Sequence, residues 1–263
     1  MGIVVAPVGS RTTPPEARAF VGVVIAAGLW TAVAAGSPTR DPRFWYWAVA
    51  CAVGEMLWLR LPLGRATLSM GSTTNFAALL ALPTPLAIPA ATLASFAVER
   101  TAMRKPLIRA LFNAAGTALA MCASGMVLKF LAPQGALALR DARLLLVLVA
   151  GAVTYYTINR ALVTAVLALD GALPPSLIWR RNFGWSRDLL PCGAALSLGV
   201  LLAELHQHVG PVALAFVLLP ALIVFESQRR LYTASAIRLE ARPEGPVESQ
   251  EDRGRMTQRG SRV

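Results

Sequence analysis

Five polar residues lie within strongly apolar stretches of this chain: Glu55, Asn75, Asn113, Asn159 and Arg160. A carboxylate and a guanidinium withdrawn from water must hold each other or hold a polar ligand, and carboxamides add donors and acceptors that adapt to either. The same residues also have a purely structural reading. Asparagines can bond across helices, Glu55 can reach the membrane interface, and Arg160 can bond to backbone carbonyls. Both readings stay open on the sequence. A second group, Glu204-Leu205-His206-Gln207-His208, contains both histidines of the chain. Two imidazoles and a carboxylate could hold a metal or titrate near neutral pH. Only Glu204 and His208 share a helical face, so an exposed polar turn is the simpler expectation. Neither a metal nor a cofactor is expected.

The patterns that mark catalysis are missing. The sequence has no nucleophile elbow, no His-Glu-x-x-His helix, no phosphate-binding glycine loop and no paired acidic motif of the kind that holds magnesium. An enzyme is therefore not expected.

The elements that must position these residues follow from composition. Of 263 residues, 56% are hydrophobic and 15% are charged, too apolar a balance for a soluble domain. Eight apolar stretches run roughly over 19–35, 44–59, 70–82, 86–98, 107–131, 144–169, 189–204 and 210–226. The expected fold class is all-α, a polytopic transmembrane helix bundle of about eight spans. Pro83 and Pro85, and Gly210-Pro211, read as tight turns, or as the breaks of kinked or re-entrant hairpins. Residues 1–18 form a polar leader, 19–226 the membrane domain, 227–239 a juxtamembrane helix, and 240–263, rich in Pro, Gly, Glu, Arg and Ser, a disordered tail. Cys51, Cys122 and Cys192 are odd in number and lie in apolar stretches, which argues against a disulfide framework.

The formal charge of +11 sits in connections and the tail, where it orients a membrane protein and does not call for nucleic acid. With the N-terminus inside, 19 basic residues fall on the cytoplasmic side and five outside, with Arg160 inside a span. Both termini are thus expected in the cytoplasm, and the membrane to be the bacterial inner membrane. At about 1.5 Å of rise per residue, Glu55, Asn75, Asn113, Asn159 and Arg160 all fall on the order of 6 to 15 Å from the cytoplasmic surface, where they could form one polar layer.

Phe44-Trp45-Tyr46-Trp47 stands at the expected outer start of the second span, a preferred place for amphipathic rings. From Ser176 to Leu190, apolar and aromatic residues interleave with Arg180, Arg181 and Arg187, which suits either an interfacial helix on anionic lipid or an ordinary basic loop. Ala32-Val33-Ala34 has the small-x-small form of a signal-peptidase site, but the long leader and the length of the apolar run favour a retained first span.

From about residue 48 to 232 the order of features resembles the multi-pass membrane input region found ahead of bacterial HD-GYP phosphodiesterase and GGDEF diguanylate cyclase domains. The resemblance rests on Glu55 followed by Leu61-Pro62-Leu63-Gly64, the polar run Ser69 to Thr74, Leu111-Phe112-Asn113-Ala114-Ala115, Tyr155 to Asn159 before Leu162, and a last span leading through Arg229 and Arg230 to Tyr232. It implies a helical sensory module and carries over no catalytic residue. In that family the last span continues into a cytoplasmic output domain, whereas here 37 residues follow Glu226. The expected output is then a separate cytoplasmic signalling protein, met by a helix bearing Arg229, Arg230, Leu231 and Ile237. Two other readings stay open: a small-solute transporter or its substrate-binding membrane subunit, and an accessory subunit of a larger membrane complex.

Overall fold

The computed structural model describes residues 14–36, 40–60, 67–132, 142–171, 173–182, 190–220, 222–223 and 226–227. They are overwhelmingly helical. Pro15 opens α1 (Pro15–Ala34), where a missing N–H costs nothing, and Glu16 sits in the positive first turn. Asp41 caps α2 (Pro42–Met56) by accepting the Arg43 amide at 2.9 Å. The Arg43 side chain lies on the same carboxylate and holds Asp41 below the usual acid range.

Between α2 and the next helix the sequence suggested only an inner connection. The chain instead forms a small antiparallel hairpin, β1 (Trp58–Arg60) against β2 (Thr67–Ser69), with Leu59 opposite Leu68. Its three-residue strands are too short to show a period, which is why the pattern was silent. The Met70 amide, bonded to the Leu57 carbonyl at 3.1 Å, carries the ladder back to the end of α2.

The hairpin delivers the chain into α3 (Gly71–Ala81), which at 11 residues is only about 16 Å long. Nearly every residue of α3 is buried, so it is the axial helix of the fold. It packs against α8 (Leu190–Val209), with Thr73 Oγ1 donating to the Ala195 carbonyl at 2.9 Å. Gly199 of α8 permits this approach, because a Cβ there would stand 2.7 Å from the Thr73 carbonyl oxygen.

Pro83 ends the α3 turn and α4 (Thr84–Thr101) follows, longer than the expected 86–98 and carrying Pro89 inside it. The α4 and α5 (Leu107–Leu131) faces that meet are built from alanines, including Ala91, Ala94, Ala114 and Ala118, which let backbones come close. Helix α1 lies on α5, and Ser124 of α5 donates to the Gly151 carbonyl of α6 (Ala142–Gly171) at 2.9 Å. The basic segment after α6 does form a short helix, α7 (Pro175–Asn182), with Ile178 buried and Trp179 edge-on to Tyr156. Gly210, at φ 67°, makes the expected turn after α8, and residues 212–220 are helical again.

Among the described residues, three helical stretches are long and apolar enough to cross a membrane: Pro15–Ala34, Leu107–Leu131 and Arg143–Gly171. The outward surface of the body is apolar, with Val23, Trp30, Val33, Leu145, Leu146 and Phe216 among its exposed side chains. The chain divides into two compact units, Met1–Phe225 and Glu226–Val263. In the second, only Glu226 and Ser227 are described, and both are helical. Residues 15–18 of the expected leader belong to α1, while residues 1–13, residues 228–239 of the expected juxtamembrane helix with Arg229, Arg230, Leu231 and Ile237, and the tail lie outside the described residues.

Candidate functional site: a buried carboxylate and amide

The side chain of Glu55, one residue before the end of α2, is aimed at the first turn of α3. A Cβ on Gly71 would stand 2.4 Å from the Glu55 carboxyl carbon, so glycine is what lets the carboxyl group lie on that helix end. The positive end of the α3 dipole favours a carboxylate there. One turn further along, Asn75 is 1% exposed. Its Nδ2 donates to Glu55 Oε1 at 3.3 Å and to Tyr155 Oη of α6 at 3.4 Å, both long bonds. Its Oδ1 is buried and has no hydrogen-bond partner. Phe76 leans on the Tyr155 ring, and Cys51 of α2 and Cys192 of α8 lie close enough to Tyr155 to interact with it electrostatically. Helices α2 and α6 thus meet the Asn75 amide of α3, with α8 close to its Tyr155 partner.

A second carboxylate group lies nearby. Glu99, 6% exposed near the end of α4, accepts the Asn113 amide of α5 through both oxygens at 2.7 Å and pairs with Lys105 of the α4–α5 connection. The Lys105 amide also bonds to the Glu99 carbonyl at 2.9 Å. The charges of Glu55 and Glu99 repel each other, and Lys105 attracts Glu55 as well as Glu99.

The single layer suggested by depth thus resolves into two carboxylate groups. Glu55 and Asn75 meet directly, Asn113 joins Glu99, and Arg160 stands over the Tyr156 ring at 5.5 Å. Asn159 is half-buried on α6 and joins neither carboxylate among the described contacts. Sequence reasoning missed Glu99, Lys105 and Tyr155 as members of the two groups. Glu99 read as the polar end of a span, and its pairing with a residue 14 positions on depends on how tightly the α4–α5 connection folds. Tyr155 stood inside a noted motif, but a tyrosine in an apolar run does not reveal which neighbour its hydroxyl meets.

At the other end of the body, Glu204 and His208 do share a face, with Nδ1 3.6 Å from Oε1. His206 turns away from them, stacked on Tyr46 with ring centroids 5.5 Å apart and edge-on to Trp47 at 5.1 Å. Tyr46 Oη donates to the Pro211 carbonyl at 2.8 Å, so this cluster staples α2 to the turn after α8. Among the described residues no three His, Cys, Asp or Glu side chains come together as a metal would need.

Neither family models, nor curated proteins, nor solved structures yield a match to this chain.

Proposed function

We propose that the chain is a multi-pass protein of the bacterial inner membrane, of the sensory-input type, with about eight spans and both termini in the cytoplasm. The observation that carries this reading is the Glu55–Asn75–Tyr155 group. An ionisable side chain and a partly satisfied amide where α2 and α6 meet α3 form a centre whose occupancy or charge changes the packing of the whole body. The resemblance to membrane input regions supports the same reading. The state of the centre passes to a cytoplasmic partner through the segment bearing Arg229, Arg230, Leu231 and Ile237, while α7 rests on anionic lipid at the inner face.

The test is affinity purification of the full chain from its native membrane, beside a variant truncated after Gln228. A signalling protein recovered with the full chain and lost from the truncated one supports the reading. An identical set of partners in both contradicts it.

One observation favours a second reading, a solute transporter or its membrane subunit. Helix α3 is shorter than a bilayer, buried along its length and set off by a hairpin and by Pro83, like the interrupted helices that line transport sites. Uptake into proteoliposomes that fails in Glu55→Ala or Arg160→Ala would favour it, and uptake equal to empty vesicles would remove it.

A further inference from the structure

We infer that Glu55 and Asn75 form a proton-binding site, in which the protonated Glu55 carboxyl closes a two-bond ring with the Asn75 carboxamide. This rests on the sensory reading and names the ligand of its centre. The amide already donates from Nδ2 to Glu55 Oε1, and its second N–H goes to Tyr155 Oη. What is left over is Oδ1, an acceptor buried in a residue 1% exposed with nothing to accept from. A buried amide oxygen without a donor costs on the order of 1 to 3 kcal/mol. The missing partner is a single hydrogen, and the Glu55 carboxyl already stands against the same carboxamide. A carboxylic acid supplies it: Oε1 keeps accepting from Nδ2 while an Oε2–H donates to Oδ1. An ionised carboxylate cannot, because its second oxygen is another acceptor facing an acceptor.

The step is one proton added to one carboxylate oxygen. An O–H bond forms at Oε2 as one breaks in a hydronium ion of the solvent, and the negative charge of the centre is neutralised. Every element around Glu55 contributes to the balance. Gly71 brings the positive end of α3, and Lys105 of the α4–α5 connection brings a cation. Glu99 of α4 brings a like charge, and Tyr155 of α6, Cys192 of α8 and Cys51 of α2 are the other ionisable neighbours. The two forms differ in how α2 holds α3. The acid adds an Oε2–H to Oδ1 bond to the Nδ2 to Oε1 bond that the carboxylate already accepts.

Glu55→Gln makes the test, since its amide is a permanent copy of the acid: Nε2 donates to Asn75 Oδ1 and Oε1 accepts from Nδ2. In full-length protein reconstituted in nanodiscs, thermal stability of the wild type should fall as pH rises through the Glu55 titration. The Glu55→Gln variant should instead hold the wild type's acidic value across the range. Infrared difference spectra between acid and alkaline buffer should show a protonated-carboxyl stretch that vanishes in Glu55→Gln, persists in Glu99→Gln, and shifts in frequency in Asn75→Leu. An acid-minus-alkaline carboxyl band in Glu55→Gln identical to the wild type's, with no component lost, would overturn the inference. Should Glu55→Gln not fold, the Asn75→Leu spectrum decides alone: an unshifted stretch counts against the ring. Partner recovery is read separately. A titrating Glu55 with partner recovery indifferent to the tail leaves the proton site standing and removes the sensory reading; tail-dependent recovery with a silent Glu55 does the reverse.

Discussion

Glu99 shows how much a single buried charge organises. It gathers the Asn113 amide and the Lys105 ammonium, and truncating it removes a shared acceptor from both part-buried donors. Glu99→Ala should therefore destabilise the body by about 2 to 4 kcal/mol, whereas Asn113→Ala, which leaves the ion pair intact, should cost about 1 to 2 kcal/mol. Reversible unfolding in mixed micelles measures both, and the double variant should cost less than the sum, because the two side chains share one contact. Equal and additive losses would show that the contact is not formed. At this scale the sequence was half legible. Depth alone selected Glu55, Asn75 and Asn113, since an embedded polar residue stands out against an apolar run. Which carboxylate each amide meets was hidden, because that depends on the rotation of each helix about its axis, a few tens of degrees that hydropathy does not encode.

Helix by helix, close approach decides stability. Gly199 faces the Thr73 carbonyl with no room for a methyl group, so Gly199→Ala should push α8 off α3 and cost about 1 to 3 kcal/mol. Gly22 on α1 has open space around its Cα, and Gly22→Ala should be neutral or stabilising by about 0.5 to 1 kcal/mol. Melting curves of the two variants in the same detergent should separate by several degrees, and the opposite order would contradict the packing. At the start of α2, the carboxylate of Asp41 is held below its ordinary range by Arg43, so its contribution is present above the ordinary acid range and lost as pH falls below it. Because Asp41 is solvent-exposed, Asp41→Asn should leave the melting temperature at neutral pH nearly unchanged. The long helices were legible because largely apolar stretches of 25 and 30 residues leave few alternatives. The hairpin at 58–69 and the shortness of α3 were not. Both arise from three-residue strands and from tertiary burial, which overrides local pattern.

Across the whole molecule, the features that set orientation are independent of those that set packing. Basic residues lie overwhelmingly on one side of the expected spans, and the outward surface of the body is apolar. The membrane address was readable from composition alone, since no soluble core requires so many exposed valines, leucines and tryptophans. The order in which helices surround α3 was not readable, because α8 reaches it across more than 100 residues of chain. If the orientation is right, the Glu55 and Glu99 groups face the cytoplasm and the His206 staple faces outward. Labelling of single cysteines with a membrane-impermeant maleimide reads this directly, in a chain whose Cys51, Cys122 and Cys192 have been replaced. Arg40→Cys and Gln207→Cys should label from outside in intact spheroplasts, while Met103→Cys should label only after permeabilisation. Labelling of Met103→Cys in intact spheroplasts, or protection of both other positions, would contradict a body that crosses the membrane with its two carboxylate groups on the inner side.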